Sequence, residues 1–85
     1  MTPAEALADI RGYARAGRVE VTDHAQLRAK QRRVRIGELV TALAYAHGCR
    51  HEDGDKWRAL CRDRDGDLLE MLVTIEDGLL VITLF

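Results

Sequence analysis

The chain is short of the features that mark secreted, membrane-bound or disordered proteins. Of its 85 residues two are cysteine, one is proline and 5% are aromatic: one tryptophan, two tyrosines and one phenylalanine. Cys49 and Cys61 form no spaced framework, which argues against a disulfide-stapled scaffold and for a reducing compartment. One proline beside 47% hydrophobic residues argues against disorder. No apolar run approaches the roughly 20 residues that a membrane span requires. Met1-Thr2-Pro3-Ala4 has neither the basic start nor the apolar stretch of a secretory signal. A cytoplasmic protein without a membrane partner is therefore expected. Scarce aromatics leave little for base-stacking recognition of single strands. No phosphate-cradling glycine loop and no Ser-His-Asp arrangement can be found, so no cofactor is expected. A chain this short makes one domain, residues 1–85, of modest stability.

What is present is charge, unevenly placed. Between Arg11 and Arg35 lie eight basic and two acidic residues, 8 − 2 = +6; between His51 and Asp77 lie four basic and nine acidic, 4 − 9 = −5. Such asymmetry within one small domain fits a positive patch for an anionic partner, nucleic acid above all, or else two halves that pair with each other.

Thr2-Pro3-Ala4-Glu5 reads as a helix start with a capping box. Leu7, Ile10 and Ala14 share one helical face, and Gly17 stops the helix. Arg18–Val21 alternates like a short strand. Thr22 or Asp23 caps a second helix over His24–Arg33, and a third covers Ile36–Ala46 with Ile36, Leu39, Val40 and Leu43 as its buried stripe. Residues 48–55 read as a loop. Three strands follow: Lys56–Arg64, Leu69–Glu76 and Leu79–Phe85, joined by hairpin signals at Asp65-Gly66 and Asp77-Gly78. The last is almost continuously apolar, as a strand covered on both faces would be. The expected fold is a two-layer α+β domain in the order α-β-α-α-β-β-β, its helices on one face of an antiparallel β-meander.

His24, Arg28 and Arg32 are spaced i, i+4, i+8 and fall on one side of the second helix. Cleavage of RNA by its own 2′-hydroxyl needs a proton acceptor and positive charge for the phosphate. Histidine suits the first task and the arginine fork the second. An exposed basic helix face and a histidine that only holds backbone are the plainer alternatives. Lys30 and Arg33 add further cations to the same helix. Lys56, Arg58, Arg62 and Arg64 fall on one face of the first meander strand by period two; they either extend the basic surface toward RNA or keep an edge strand soluble. Trp57, on the opposite face, reads as core. His47, Cys49, His51 and Cys61 lack the tight Cys-x-x-Cys pairing of structural zinc sites, so no metal site is expected.

Thr22-Asp23-His24-Ala25 with Arg28 and Arg32, then Trp57-Arg58, Asp65-Gly66, Ile75-Glu76-Asp77-Gly78 and the Val-Ile-Thr-Leu-Phe ending resemble a widespread family of small bacterial proteins. Its members are often encoded beside a small zinc-finger antitoxin. Ala16-Gly17-Arg18-Val19 with Thr22, and the run from Gly66 to Phe85, are similar in pattern to the MqsR toxins, which share the RelE-like fold and cut messenger RNA. The resemblance implies a RelE-like toxin of a type II toxin–antitoxin pair. Such a toxin is a metal-independent endoribonuclease, acting on RNA that is free or on the ribosome and neutralised by a cognate antitoxin of zinc-finger type. Sheet edges could pair with that antitoxin or with a second copy. The resemblance implies His24 as acid/base with Arg28 and Arg32 as phosphate ligands. Arg58 stands where the MqsR toxins carry a catalytic glutamine, Leu69 where they carry a tyrosine, and no counterpart of their final lysine appears before Phe85. The alternative is a non-catalytic RelE-like module that binds RNA or protein, or a purely structural subunit.

Overall fold

A computed structural model describes all 85 residues. Thr2 caps the first helix, α1 (Pro3–Arg15), and its hydroxyl and Glu5 exchange the two hydrogen bonds of a capping box. Two orphan N–H groups are thereby satisfied. Gly17, at φ 71°, follows the helix and turns the chain into β1 (Val19–Val21). The helices α2 (Asp23–Gln31) and α3 (Ile36–Ala44) come next. The strands β2 (Gly48–His51), β3 (Lys56–Arg62), β4 (Leu68–Glu76) and β5 (Gly78–Leu84) complete the fold. They form one five-stranded sheet in the order β1-β5-β4-β3-β2.

Two expectations are corrected here. Residues 48–51 are a strand, not part of a loop: Gly48 to His51 pair antiparallel with Leu60 to Trp57. Cross-strand partners lift this polar, glycine-started segment out of the loop class that local composition assigns it, so the order gains a fourth C-terminal strand. The sheet is also mixed rather than wholly antiparallel, because β1 runs parallel to β5 with Val19 opposite Leu79 and Val21 opposite Val81. That pairing joins residues sixty apart, which no hairpin signal could report.

The core lies between the sheet and the helices. Ala6, Ile10 and Ala14 of α1 and Leu39 and Leu43 of α3 pack over Trp57, Ala59, Cys61, Leu69, Met71 and Val73. The side chains of α1 also close α3: Arg11 donates to the Ala46 carbonyl and Arg15 to the Ala44 carbonyl, where a cation complements the helix C-terminus. In α3 the buried stripe is rotated from the expected one. Ala42 and Ala44 are buried, Val40 is half-buried, and Ile36 is 41% exposed.

Only one face of the sheet is covered. β5 is interior in strand order, yet Leu80 is exposed and Ile82 half-buried, so the expected double coverage fails. Its apolar run reflects membership of a half-open sheet, with a bulge in it. Leu72 pairs with Thr83 but Val73 pairs with Val81, leaving Ile82 as the extra residue. Leu79, Val81 and Leu84 all reach the core, and the bulge is what turns Thr83 to the open face.

Candidate functional site

The site is built where β1 gives way to α2. β1 holds the outer edge of β5 only as far as Val81, whose carbonyl accepts from the Thr22 N–H. Thr22 then does two things. Its hydroxyl oxygen caps α2 by accepting from the Ala25 N–H, and its hydroxyl hydrogen goes to the Ile82 carbonyl. Beyond that point the edge of β5 has no neighbouring strand, and side chains of α2 take over.

His24, Arg28 and Arg32 are these side chains. His24 Nε2 lies 3.0 Å from Thr83 Oγ1. Arg28 donates from Nε and Nη2 to the Leu84 carbonyl, both at 3.3 Å. Arg32 donates to the Leu68 carbonyl at 3.0 Å and to the main-chain oxygen of Phe85. The i, i+4, i+8 row thus lies along the last residues of β5, satisfying main-chain acceptors that an edge strand would leave to water.

These contacts leave chemistry in hand. A guanidinium has five N–H donors; Arg28 uses two and Arg32 uses two, so 5 − 2 = 3 remain on each. The Leu84 carbonyl does not neutralise the charge of Arg28, which has no carboxylate partner among the six ion pairs of the protein. The Thr83 hydroxyl hydrogen points to the Leu84 carbonyl. In the tautomer that carries its proton on Nε2, His24 donates to the Thr83 oxygen, and Nδ1 of this exposed ring has no hydrogen-bond partner.

The remaining candidate residues are distributed differently. Arg58 stands on the open face, its guanidinium 3.7 Å from the centre of the Phe85 ring, and so beside the α2 row. Two carboxylates neutralise it, Glu52 at 2.5 Å and Glu70 at 3.1 Å. Its hydrogen bond to Glu70, reinforced by that to Glu52, raises its pKa. Lys56 sits 3.9 Å from Asp55, and Arg62 donates to the Gly66 carbonyl. Arg64 lies past the end of β3 and pairs with Glu38 of α3 at 3.8 Å, away from α2. Lys56, Arg58 and Arg64 are thus paired with carboxylates, whereas Arg62 has only the Gly66 carbonyl. Lys30 and Arg33 line another surface, with Leu27. Leu69 is fully buried beneath the helices.

Thr83, Glu52 and Glu70 were not singled out by sequence reasoning. Thr83 stood within an apolar run, and its exposure depends on the bulge. The carboxylates could be found only through the strand register that sets Glu70 and Arg58 side by side. The one group of potential metal ligands is Asp63, Asp65 and Asp67, in the β3–β4 turn. There Asp63 accepts from the N–H groups of Asp65 and Asp67. Cys61 is buried in the core and its thiol is pushed up to about 12, chiefly by burial. No helix is long and apolar enough to cross a membrane. Comparison with protein-family models and with curated proteins found no match.

Proposed function

We propose that this chain is a RelE-like toxin of a type II toxin–antitoxin pair, an endoribonuclease that needs no metal. One observation carries the reading: His24, Arg28 and Arg32 meet at Thr83–Phe85, both arginines keep unused donors, and Arg28 has no carboxylate partner. The similarity of Thr22-Asp23-His24-Ala25, Arg28 and Arg32 to the small bacterial family supports the same reading.

In this reading the RNA backbone lies along α2 and the C-terminal end of β5. Arg28 and Arg32 hold the scissile phosphate and stabilise the charge it gains in the transition state, commonly the largest catalytic contribution. His24 accepts the 2′-hydroxyl proton at Nδ1. The 2′-oxygen attacks phosphorus, the bond to the 5′-oxygen breaks with that oxygen taking a proton from water, and the products end in a 2′,3′-cyclic phosphate and a 5′-hydroxyl. The partner is an antitoxin, of zinc-finger type by the family resemblance, and the RNA is met in the cytoplasm, free or on the ribosome.

A second reading has its own observation. The arginines already serve the β5 edge and Arg58 is neutralised by Glu52 and Glu70, as suits a module that binds without cutting. Induced expression of wild type and His24→Ala in a bacterial host, with growth followed and RNA 5′ ends mapped, separates the two. Growth arrest with new 5′ ends in the wild type alone supports the nuclease; folded wild-type protein at high level without arrest supports the binding module.

A further inference from the structure

We propose that the shallow groove formed by α2 and the turn into α3 docks an acidic amphipathic helix of a partner protein. It is an open surface made by Gln26, Leu27, Ala29 and Lys30 of α2, the turn Arg33–Arg35 and Ile36, the first residue of α3. Its apolar surface includes Leu27, 55% exposed, and Ile36, 41% exposed. Its rim carries Lys30, Arg33 and Arg35. These three are exposed, and none has a hydrogen-bonded or ion-paired side-chain partner, whereas Arg18, Arg50, Lys56, Arg58 and Arg64 all pair with carboxylates. Arg33 adds a second oddity. It occupies the left-handed position after α2, at φ 57°, with the Val34 N–H bonded back to the Ala29 carbonyl. Glycine is the residue that this closing turn favours, so a cation is held here at a conformational cost.

The occupant follows from this chemistry. An amphipathic helix docks through apolar residues at i, i+3 or i+4 and i+7. Leu27 and Ile36 give two such residues something to cover, and the three free cations select carboxylates beside them. RNA would use the rim and leave both aliphatic side chains in water. The surface is lined by none of His24, Arg28 and Arg32, so this inference does not rest on nuclease activity.

The probe is a fluorescein-labelled synthetic helix about four turns long, with leucines at i, i+3 and i+7 and glutamates flanking them. A control peptide carries lysine for each glutamate. Fluorescence anisotropy against the full chain should show saturable binding of the acidic peptide and at least about tenfold weaker binding of the control. Leu27→Asp and Lys30→Glu, both at exposed positions, should each weaken the acidic peptide by about tenfold. His24→Ala should bind it as the wild type does, which separates this surface from the candidate catalytic one. Equal affinity for the two peptides, unchanged affinity in both variants, or no binding of the acidic peptide overturns the proposal. So does an RNA oligonucleotide, or an anionic phosphatidylserine vesicle, whose own binding is lost in Leu27→Asp and which displaces the peptide.

Discussion

Replacing Thr22 by alanine should destabilise the protein more than any other loss of one hydroxyl. Two contacts go at once. The cap on α2, in which Thr22 Oγ1 accepts from the Ala25 N–H at 3.1 Å, is worth about 1 kcal/mol. The bond to the Ile82 carbonyl at 2.9 Å contributes about 1 kcal/mol more, since that part-buried carbonyl loses its donor. A total of about 2 kcal/mol lowers Tm by roughly 8–16 °C in a domain of this size. Serine keeps both contacts and should fall within about 0.5 kcal/mol of wild type, the ordinary range of harmless substitutions. Aspartate keeps the cap but cannot donate to Ile82, and should lie between alanine and serine. Urea denaturation followed by far-ultraviolet circular dichroism measures all four proteins. Thr22→Ala within about 0.5 kcal/mol of wild type, or Thr22→Ser as unstable as Thr22→Ala, would refute the claim that this hydroxyl joins β5 to α2.

Gly78→Ala should cost about 1–3 kcal/mol, because Gly78 has φ 132° and a Cβ there would meet the Arg18 carbonyl oxygen at 3.1 Å; a denaturation midpoint within error of wild type would contradict it. Arg33→Gly should stabilise by about 0.5–1 kcal/mol by relieving a left-handed arginine, measured by the same urea titration, while weakening the acidic peptide in the groove. The Cys61 thiol is raised from 9.0 to about 12, so the folded state holds its proton more tightly than the unfolded state does. Its contribution is fully present below about pH 9 and is lost as pH rises from there toward about 12, at up to roughly 1.4 kcal/mol per pH unit. Stability measured against pH should therefore fall more steeply on the alkaline side for wild type than for Cys61→Ala, and parallel curves would contradict the assignment.

How much of this was legible in the sequence depended on the range of the interaction. The capping box at Thr2 and Glu5, the stop at Gly17 and the turn at Gly78 are local devices, and all are present. Period-two alternation placed Trp57, Ala59 and Cys61 on the buried face. β2 was missed because a short polar strand is defined by its partner, and the parallel pairing of β1 with β5 because it joins distant segments. For the candidate site, helical spacing aligned His24, Arg28 and Arg32 but could not show what they face. Most of their partners lie at Thr83–Phe85, more than fifty residues away, and Thr83 reaches His24 only through the bulge at Ile82. The charge count had the same limit. It found an excess of basic residues in the first half but could not tell Arg58, held between Glu52 and Glu70, from Arg28, which bonds only to the Leu84 carbonyl.

The central claim is that the α2 row at the end of β5 cuts RNA, and the termini of the products test it most directly. Purified wild type and His24→Ala are incubated with RNA, free and ribosome-bound, the new ends are analysed for 2′,3′-cyclic phosphate, and RNA affinity is measured in parallel at two salt concentrations. The account predicts cyclic-phosphate ends from wild type alone, with salt-sensitive RNA affinity about equal in the two proteins. Equal cutting by His24→Ala, or no cutting by a wild type that binds RNA, would contradict it.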